Sequence, residues 1–331
     1  MCTSLTYSTV DGHHFLARTM DFSLELDANP LFLPRHFKWY PILSQPAQIT
    51  KYAIMGAGGQ FSPTQYLVAD GFNEHGLACA ELFFAGAAVY EPNQIAGKLN
   101  LVAEEFTTWA LGYHQNLADL AQDLANVVII DSDQGELKAN QPLHWIFTDK
   151  TGETMIIEPE GHGLHLINDP VGVMTNTPNL DWHLKNLNNY LNLQPMPFPE
   201  RQYSHYTAHA FSQGTGTQAL PGGYTPPQRF VRAAYSRQTM PQAQTAADGV
   251  NALLHMLDNV TIPKGANLES DGQTDYTQYQ GILSLDERAY YFVNYTNRTV
   301  YRTTMTDELI QQQTTPVIYP AQSQQQSVPL N

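Results

Sequence analysis

The sequence predicts an α+β fold in which antiparallel strands and helices form separate layers. Short segments rich in β-branched and aromatic residues recur along the chain, and turn residues bound them. Helical periodicity is confined to a few segments, which do not alternate one by one with the strands as they would in a doubly wound sheet. The order is strands, helices, strands, helix and strands, which favours antiparallel sheets covered by helices.

The chain opens with a predicted β-hairpin. Residues 3–10 and 13–21 are β-prone, and Asp11-Gly12 stands between them. Asp-Gly between two such runs is a strong hairpin signal, because both residues of a two-residue turn must tolerate positive φ.

A two-residue turn at Asp11-Gly12 also fixes a register. Cys2 would then face Asp21, and Leu5 would face Arg18. Directly opposed residues share one face of a sheet with Cβ atoms about 4.5–5.5 Å apart. This register therefore places the Asp21 carboxylate beside the Cys2 thiol and puts Arg18 on the opposite face. Arg18 could reach the thiol only if the strand contained a bulge between Arg18 and Asp21.

The remaining elements follow from the same signals. We predict further strands at 51–56, 77–84, 143–148, 154–158, 164–167, 280–285, 289–295 and 299–304. We predict helices at 101–111 and 117–124, the second capped by Asn116, and another around 250–257.

The domain organisation is expected to be simple. Because no interior linker rich in Gly, Ser or Pro is evident, we expect one domain over residues 1–322. Residues 323–331 are polar and are expected to form a frayed tail, since they cannot bury enough apolar area to offset ordering.

Composition excludes several classes of partner. The formal net charge is −15 with only 16 Lys and Arg, so the chain lacks the basic cluster that nucleic acid requires. No stretch approaches the roughly 18 apolar residues of a membrane helix, and the start does not resemble a secretory signal. We therefore expect a cytoplasmic protein, where the thiol of Cys2 stays reduced.

Cys2 is the candidate nucleophile. Removal of Met1 would expose its α-amine, whose ordinary pKa near 8 leaves part of it as a neutral base at neutral pH. The amine can take the thiol proton while the thiolate attacks a carbonyl, so one residue supplies both nucleophile and base. Asp21 could orient that amine. The alternative is that Cys2 is an ordinary strand residue, and Cys79 is interpreted in that way, as a small buried hydrophobe.

Several ordered blocks of the sequence resemble the choloylglycine hydrolase family, which contains bile salt hydrolases and penicillin V acylases. The resemblance covers nearly the whole chain. Its blocks lie at 1–3, 17–21, 34–35, 70–77, 142–145, 172–178, 181–183, 214–216, 220–222, 225–226 and 229–232.

The resemblance implies a fold, an activity and a set of residue roles. It implies an N-terminal-nucleophile hydrolase fold, an αββα sandwich with two antiparallel sheets, in a homotetramer. We expect neither a cofactor nor a metal. It implies hydrolysis of a linear amide through an acyl-enzyme on Cys2, with Arg18 and Asp21 holding that residue. Asn176 matches the oxyanion-hole asparagine, and Arg229 matches the arginine that organises the site.

The sequence departs from bile salt hydrolases at Phe83. Those enzymes usually carry Gly-Leu-Asn-Phe, whereas residues 81–84 here are Glu-Leu-Phe-Phe. Phe83 can still offer its backbone N–H to an oxyanion. Since penicillin V acylases of the family tend to carry an aromatic residue here, we predict penicillin-V-acylase-like specificity, with bile salt hydrolysis as the alternative.

Other interpretations are weaker. Residues 214–216 are Gly-Thr-Gly, but no Gly-Lys-Ser/Thr follows to make a phosphate loop. His162 and His165 lack the additional ligands of a metal site. A non-catalytic binding protein on the same fold, with Cys2 inert, is the rival from another class. Such a binder has no chemical need for the full set of Arg18, Asp21, Asn176 and Arg229. The natural acyl-amide substrate stays open. We expect the segments after Asp21, around 60–66 and near 131–140 to shape the pocket for its acyl group.

Overall fold

The predicted α+β class is confirmed, with two large antiparallel sheets. The structure, a computed structural model, describes residues 1–43, 46–62, 65–134, 141–161 and 163–330. The strands are β1 (Cys2–Ser8), β2 (His14–Phe22), β3 (Asn29–Leu33), β4 (Lys38–Trp39), β5 (Gln48–Ile49), β6 (Ile54–Ser62), β7 (Gln65–Asn73), β8 (Ala78–Phe83), β9 (Leu99–Leu101), β10 (Val127–Ile129), β11 (Leu143–Thr148), β12 (Thr154–Ile157), β13 (Ile167–Asn168), β14 (Val173–Met174), β15 (Arg201–Tyr203), β16 (Tyr206–Ala208), β17 (Tyr276–Ser284), β18 (Ala289–Asn294), β19 (Tyr301–Thr304) and β20 (Val317–Ile318). The α-helices are α1 (Phe106–Tyr113), α2 (Leu117–Asp123), α3 (Leu180–Asn186), α4 (Pro226–Thr239), α5 (Ala246–Asp258) and α6 (Asp307–Gln312).

The two sheets lie face to face between helical layers. Within the described residues, sheet A has the order β14-β1-β2-β17-β18-β19, and sheet B has the order β13-β12-β11-β8-β7-β6-β3-β20. Helices α4 and α5 cover sheet A, whereas α1 covers sheet B through β6, β7 and β8. Apolar side chains fill one core between the sheets and under α4 and α5, and a second between sheet B and α1. The layers therefore run α, β, β, α.

The predicted register of the first hairpin is wrong by one residue. Cys2 pairs with Met20 and Ser4 pairs with Arg18. The turn is a three-residue loop closed by a hydrogen bond from Thr9 N to His13 O at 3.0 Å. Gly12 alone in this loop has positive φ, at 86°, so the turn is not the two-residue type that needs positive φ twice. A slip of one residue moves every side chain of the second strand to the other face, Arg18 included.

Most of the other predicted elements are present with shifted bounds. The predicted strand at 143–148 matches β11, and Asn116 caps α2 by accepting from Asp119 N at 2.9 Å. The helix predicted at 101–111 is replaced in part by β9 and a 3₁₀ turn at Ala103–Glu105, and α1 begins only at Phe106. The strands β3 and β7 and the helices α3 and α4 were not predicted.

The C-terminal segment follows the last strand without further regular structure. Residues 321–330 contain no helix or strand, and the side chains of Val328 and Leu330 are exposed. Gln325 Oε1 nevertheless accepts a hydrogen bond from Arg298 N at 2.7 Å. Among the described residues, no helix has both the length and the apolar character needed to cross a membrane.

Candidate active site

The Cys2 thiol lies between the two sheets. Cys2 is 4% exposed and lines an apolar pocket. On the same face of β1, Thr6 Oγ1 lies 2.6 Å from Thr154 Oγ1 of sheet B, which shows that this face points inward. The alternation of β1 therefore directs the thiol toward sheet B.

Arg18 reaches the thiol directly. In the observed register it shares the inner face with Ser4 and Cys2, and its Nη2 donates to Cys2 Sγ at 3.0 Å. Nη1 donates to Ala69 O of sheet B at 3.1 Å. Burial alone would lower the pKa of Arg18, but the charges of Cys2, Tyr279 and Asp70 raise it, so the guanidinium stays charged. The charged guanidinium therefore holds the sulfur by a charge-assisted hydrogen bond.

Asp70 anchors Arg18 from sheet B, and sequence reasoning did not assign it a role. Its carboxylate accepts hydrogen bonds from Tyr279 Oη at 2.5 Å and Tyr290 Oη at 2.6 Å, and Arg18 Nη1 lies 3.4 Å from Oδ2. All four side chains are fully buried or nearly so. Burial raises the pKa of Asp70, while Arg18 and the two tyrosines oppose that shift.

Asp21 lies on the other face of sheet A from the thiol, which corrects the predicted placement. Its carboxylate accepts from Thr277 Oγ1 at 2.5 Å and from Thr19 Oγ1 at 3.1 Å, and Arg229 Nη1 of α4 lies 3.8 Å away. Burial raises the pKa of Asp21, with the charge of Arg229 opposing it. The backbone carbonyl of Asp21 is the part nearest the thiol, 3.7 Å from Cys2 Sγ.

Arg229 holds the backbone of Cys2. Its Nη1 donates to Cys2 O and to Thr3 Oγ1, both at 2.5 Å, and its Nε donates to Tyr224 O at 2.8 Å. Burial lowers the pKa of Arg229, and Asp21 and Cys2 oppose that effect. The helix that carries it begins with Pro226 after Thr225, and proline at the first position is a helix-start signal that does not depend on hydrophobic periodicity.

Asn176 joins Cys2 to Phe83. Its Oδ1 accepts from Cys2 N and from Arg229 Nη2, each at 2.7 Å, and its Nδ2 donates to Phe83 O at 2.7 Å. Two donors at one end and an acceptor at the other fix the orientation of the amide. Its nitrogen therefore points toward β8, beside the pocket.

Met1 precedes the nucleophile, and its α-amine contacts two oxygen acceptors. Its α-amine donates to Asp21 O at 2.5 Å and pairs with Asp275 Oδ2 at 3.2 Å. Asp275 is buried, and no motif in the sequence pointed to it.

The pocket beside Cys2 encloses about 680 Å³ of space, part of it open to solvent. The Phe83 ring lines it and meets Phe22 edge to face, with ring centroids 6.1 Å apart. Leu26 and Phe61 also line it. The segment after Asp21 and the segment around 60–66 therefore both contribute to the pocket, as predicted. Of the predicted segment 131–140, residues 135–140 lie outside the described part of the chain, and residues 131–134 do not line the pocket.

The other cysteine of the chain lies away from this site. Cys79 is fully buried and faces α1, where its thiol contacts Thr107 Oγ1 at 3.8 Å. Burial raises the pKa of Cys79 well above its ordinary value, so it is a poor nucleophile. His162 lies outside the described residues, and elsewhere no group of three or more His, Cys, Asp or Glu could hold a metal ion.

His183 supports the backbone of Asn176. Its Nε2 lies 2.9 Å from Asn176 O, and its ring stacks on Phe230 with centroids 4.6 Å apart. Burial lowers the pKa of His183 from 6.5 to about 4, and the charge of Arg229 adds to this. The neutral ring with its proton on Nε2 therefore donates to the carbonyl.

We expect this histidine to make the protein less stable in mild acid. Between pH 6.5 and 4 the unfolded chain binds a proton that the folded chain refuses, so the free energy of unfolding falls as the pH is lowered through this window. The fall attributable to His183 reaches about 3 kcal/mol. Urea unfolding of the wild type and of His183→Phe at several pH values measures it. Equal dependence on pH in the two proteins would contradict this role.

Comparison with known proteins shows which family the chain belongs to. Residues 2–319 match the family of linear amide C–N hydrolases, choloylglycine hydrolase family. A bile salt hydrolase/transferase of Clostridium perfringens is 34% identical over 93% of both chains, and one of Lactiplantibacillus plantarum is 32% identical over all of both. A crystal structure of a conjugated bile acid hydrolase variant from C. perfringens covers both chains fully at 30% identity and a TM-score of 0.91.

A penicillin V acylase from Agrobacterium tumefaciens shares the fold at 20% identity and a TM-score of 0.73, over 92% of this chain and 87% of that one. The relatives thus favour the bile salt alternative over the penicillin V prediction drawn from Phe83. The chain belongs to the choloylglycine hydrolase family and is a hydrolase of linear amide C–N bonds with the N-terminal-nucleophile fold.

Proposed function

We propose that this enzyme hydrolyses the amide bond of conjugated bile salts, releasing glycine or taurine, through an acyl-enzyme on Cys2. The observation that carries the proposal is the 3.0 Å contact between Arg18 Nη2 and Cys2 Sγ at an apolar pocket. Relatives named bile salt hydrolases support the choice of substrate. The apolar lining suits a steroid acyl group.

In the first half of the proposed reaction, the neutral α-amine of processed Cys2 takes the thiol proton. The thiolate attacks the amide carbonyl, and negative charge develops on its oxygen. The second N–H of Asn176 Nδ2 and the backbone N–H of Phe83 donate hydrogen bonds to that oxygen. Each such donor lowers the barrier by about 2.7–4 kcal/mol.

In the second half, the protonated α-amine gives its proton to the nitrogen of the leaving glycine or taurine as the C–N bond breaks. Water then attacks the thioester with the amine as general base, and the thiol leaves with a proton. Arg18 holds the sulfur through the cycle. Arg229, supported by Asp21, fixes the backbone of Cys2 and the amide of Asn176.

Penicillin V is a second candidate substrate because two aromatic rings, Phe22 and Phe83, line the pocket. The processed enzyme should be assayed with glycine conjugates, taurine conjugates and penicillin V under one set of conditions. We expect kcat/KM for a bile salt to exceed that for penicillin V at least tenfold. The reverse preference would overturn the proposal.

A matched variant separates the two roles of Phe83. Phe83→Ala removes the ring and keeps the backbone N–H. A ring that serves a phenoxyacetyl group predicts a larger loss toward penicillin V than toward bile salts, whereas a ring that only bounds a steroid pocket predicts the opposite.

We also infer assembly into a homotetramer working in the cytoplasm, where a thiol stays reduced. Several large apolar side chains near α3 and β15 are exposed, among them Leu191 at 85% and Tyr206 at 68%. Large apolar side chains that are exposed in one segment of the chain favour a subunit contact. Light scattering on the purified protein gives the mass in solution, and a monomer would count against assembly.

A further inference from the structure

A slot opens in sheet B where β7 and β8 part. The two strands pair from Phe72–Ala78 to Asp70–Ala80. Beyond that point Gln65–Leu67 and Val68 still pair with β6, and Glu81–Phe83 with β11. Although both segments lie within the described part of the chain, they do not pair with each other. The gap between them is the place where the pocket enters the sheet.

The slot leads from the nucleophile to a carboxyl group. Cys2 and Met20 border it on the side of sheet A. Its walls are mostly apolar and include Leu26, Ala28, Phe61, Leu67, Ala69, Leu82 and Leu143. On the side of α1 it is bordered by Glu81 and Glu104. An acyl group attached to Cys2 and extending through the slot therefore approaches these carboxyl groups.

Glu81 is held in place but retains acceptor capacity. Thr107 Oγ1 of α1 donates to Glu81 Oε2 at 3.3 Å, and the side chain is partly exposed where it lines the pocket. Burial raises the pKa of Glu81 well above its ordinary value, with the charge of Arg18 opposing and that of Glu104 adding to the shift. A carboxyl in such a place can both accept and donate a hydrogen bond.

We propose that the Glu81 carboxyl forms a hydrogen bond with a hydroxyl group carried on an otherwise apolar acyl group. This enzyme would therefore select hydroxylated acyl amides over their deoxy counterparts. This rests on the function proposed above and names the feature of the acyl group that the pocket recognises. Glu81 is then a specificity residue that contacts substrate far from the bond that breaks.

The chemistry of the slot favours a hydroxyl over a charged group. An acidic substituent would meet Glu81 and Glu104 and be repelled. An ammonium group would lose its water among apolar walls, which costs far more than desolvating a hydroxyl. A hydroxyl needs one partner, and a carboxyl oxygen at the end of an apolar path supplies it.

The test uses glycine conjugates of bile acids that differ by single hydroxyl groups, from glycocholate through its singly dehydroxylated forms to the conjugate of unsubstituted cholanic acid. For at least one hydroxyl position, we expect wild-type kcat/KM to fall roughly ten- to hundredfold when that hydroxyl is removed. Glu81→Leu should erase this preference. Glu81→Gln, which keeps size and an acceptor oxygen, should retain much of it.

Glu74→Gln is the matched control, because Glu74 is a buried carboxylate that pairs with Arg35 outside the pocket. It should keep the wild-type preference for the hydroxylated substrate, whatever its effect on stability. A preference that is absent in the wild type, or unchanged in Glu81→Leu, overturns the inference while leaving bile salt hydrolysis intact.

A binding measurement tests hydroxyl recognition by Glu81 independently of bile salt hydrolysis. Calorimetry of the free bile acids with the Cys2→Ser protein requires no turnover. If no conjugate is hydrolysed, the proposed function fails, and the binding series still decides the role of Glu81. Equal affinity of the Cys2→Ser protein for hydroxylated and deoxy acids would refute that role, and a hydroxyl preference lost in the Cys2→Ser, Glu81→Leu double variant would support it.

Discussion

Replacing Cys2 by serine is expected to lower kcat for bile salt hydrolysis by at least about a thousandfold, since removing a catalytic nucleophile costs factors of 10³–10⁶. Serine fits the same volume between the sheets, but its hydroxyl is far less acidic than a thiol, so Arg18 at 3.0 Å cannot favour an anion there. Steady-state assays and the absence of a labelled acyl-enzyme measure the effect. A Cys2→Ser protein that keeps its activity would place the chemistry elsewhere and revive a non-catalytic role for Cys2.

Cys79→Ser provides the matched control, because Cys79 is the other cysteine of the chain and faces α1. We expect wild-type kcat from it and a stability change of about 1 kcal/mol. Intact mass adds an independent check. Loss of Met1 must accompany activity, and iodoacetamide should add once, at Cys2, because burial raises the pKa of Cys79 well above its ordinary value.

The hairpin shows how far local sequence signals reach. The Asp-Gly signal correctly located a turn at the tip of two strands. The loop has three residues and not two, because only Gly12 takes positive φ, and one residue of difference reversed the face of Arg18. The contact between Arg18 and Cys2 thus needs no bulge between Arg18 and Asp21. The irregularity near Asp21 lies in β17, between Thr277 and Tyr279.

Residues that act through distant partners were found by resemblance or not at all. Asn176 and Arg229 reach Cys2 across more than 170 residues of chain, so neither periodicity nor spacing could place them there. Asp70 gave no local signal, because its role depends on the packing of sheet B against sheet A. The sequence places Glu81 in a predicted strand but does not show that it borders a pocket. That exposure arises where β7 and β8 separate, which depends on their pairing with β6 and β11.

Replacing Asp70 by asparagine is expected to lower the free energy of unfolding by about 3–5 kcal/mol, since it leaves the buried guanidinium of Arg18 without its compensating charge. Asparagine nearly matches the volume of aspartate, so a packing defect does not explain such a loss. The amide also cannot accept from Tyr279, Tyr290 and Arg18 as the carboxylate does. Urea unfolding of the wild type and the variant measures the change.

If Asp70 positions Arg18, replacing it should also change the reactivity of Cys2, which a purely structural role would not do. If Asp70 sets the place of Arg18 beside the thiol, Asp70→Asn must lower kcat for hydrolysis and slow the reaction of iodoacetamide with Cys2 in the folded protein, because a displaced guanidinium no longer holds the sulfur. Tyr290→Phe is the comparison: it removes one hydrogen bond to the same carboxylate and keeps the charge. It should cost about 1 kcal/mol and leave both rates unchanged. Equal rates for all three proteins would reduce Asp70 to a structural residue, whereas rate losses confined to Asp70→Asn tie the charge in sheet B to the reactivity of a cysteine in sheet A.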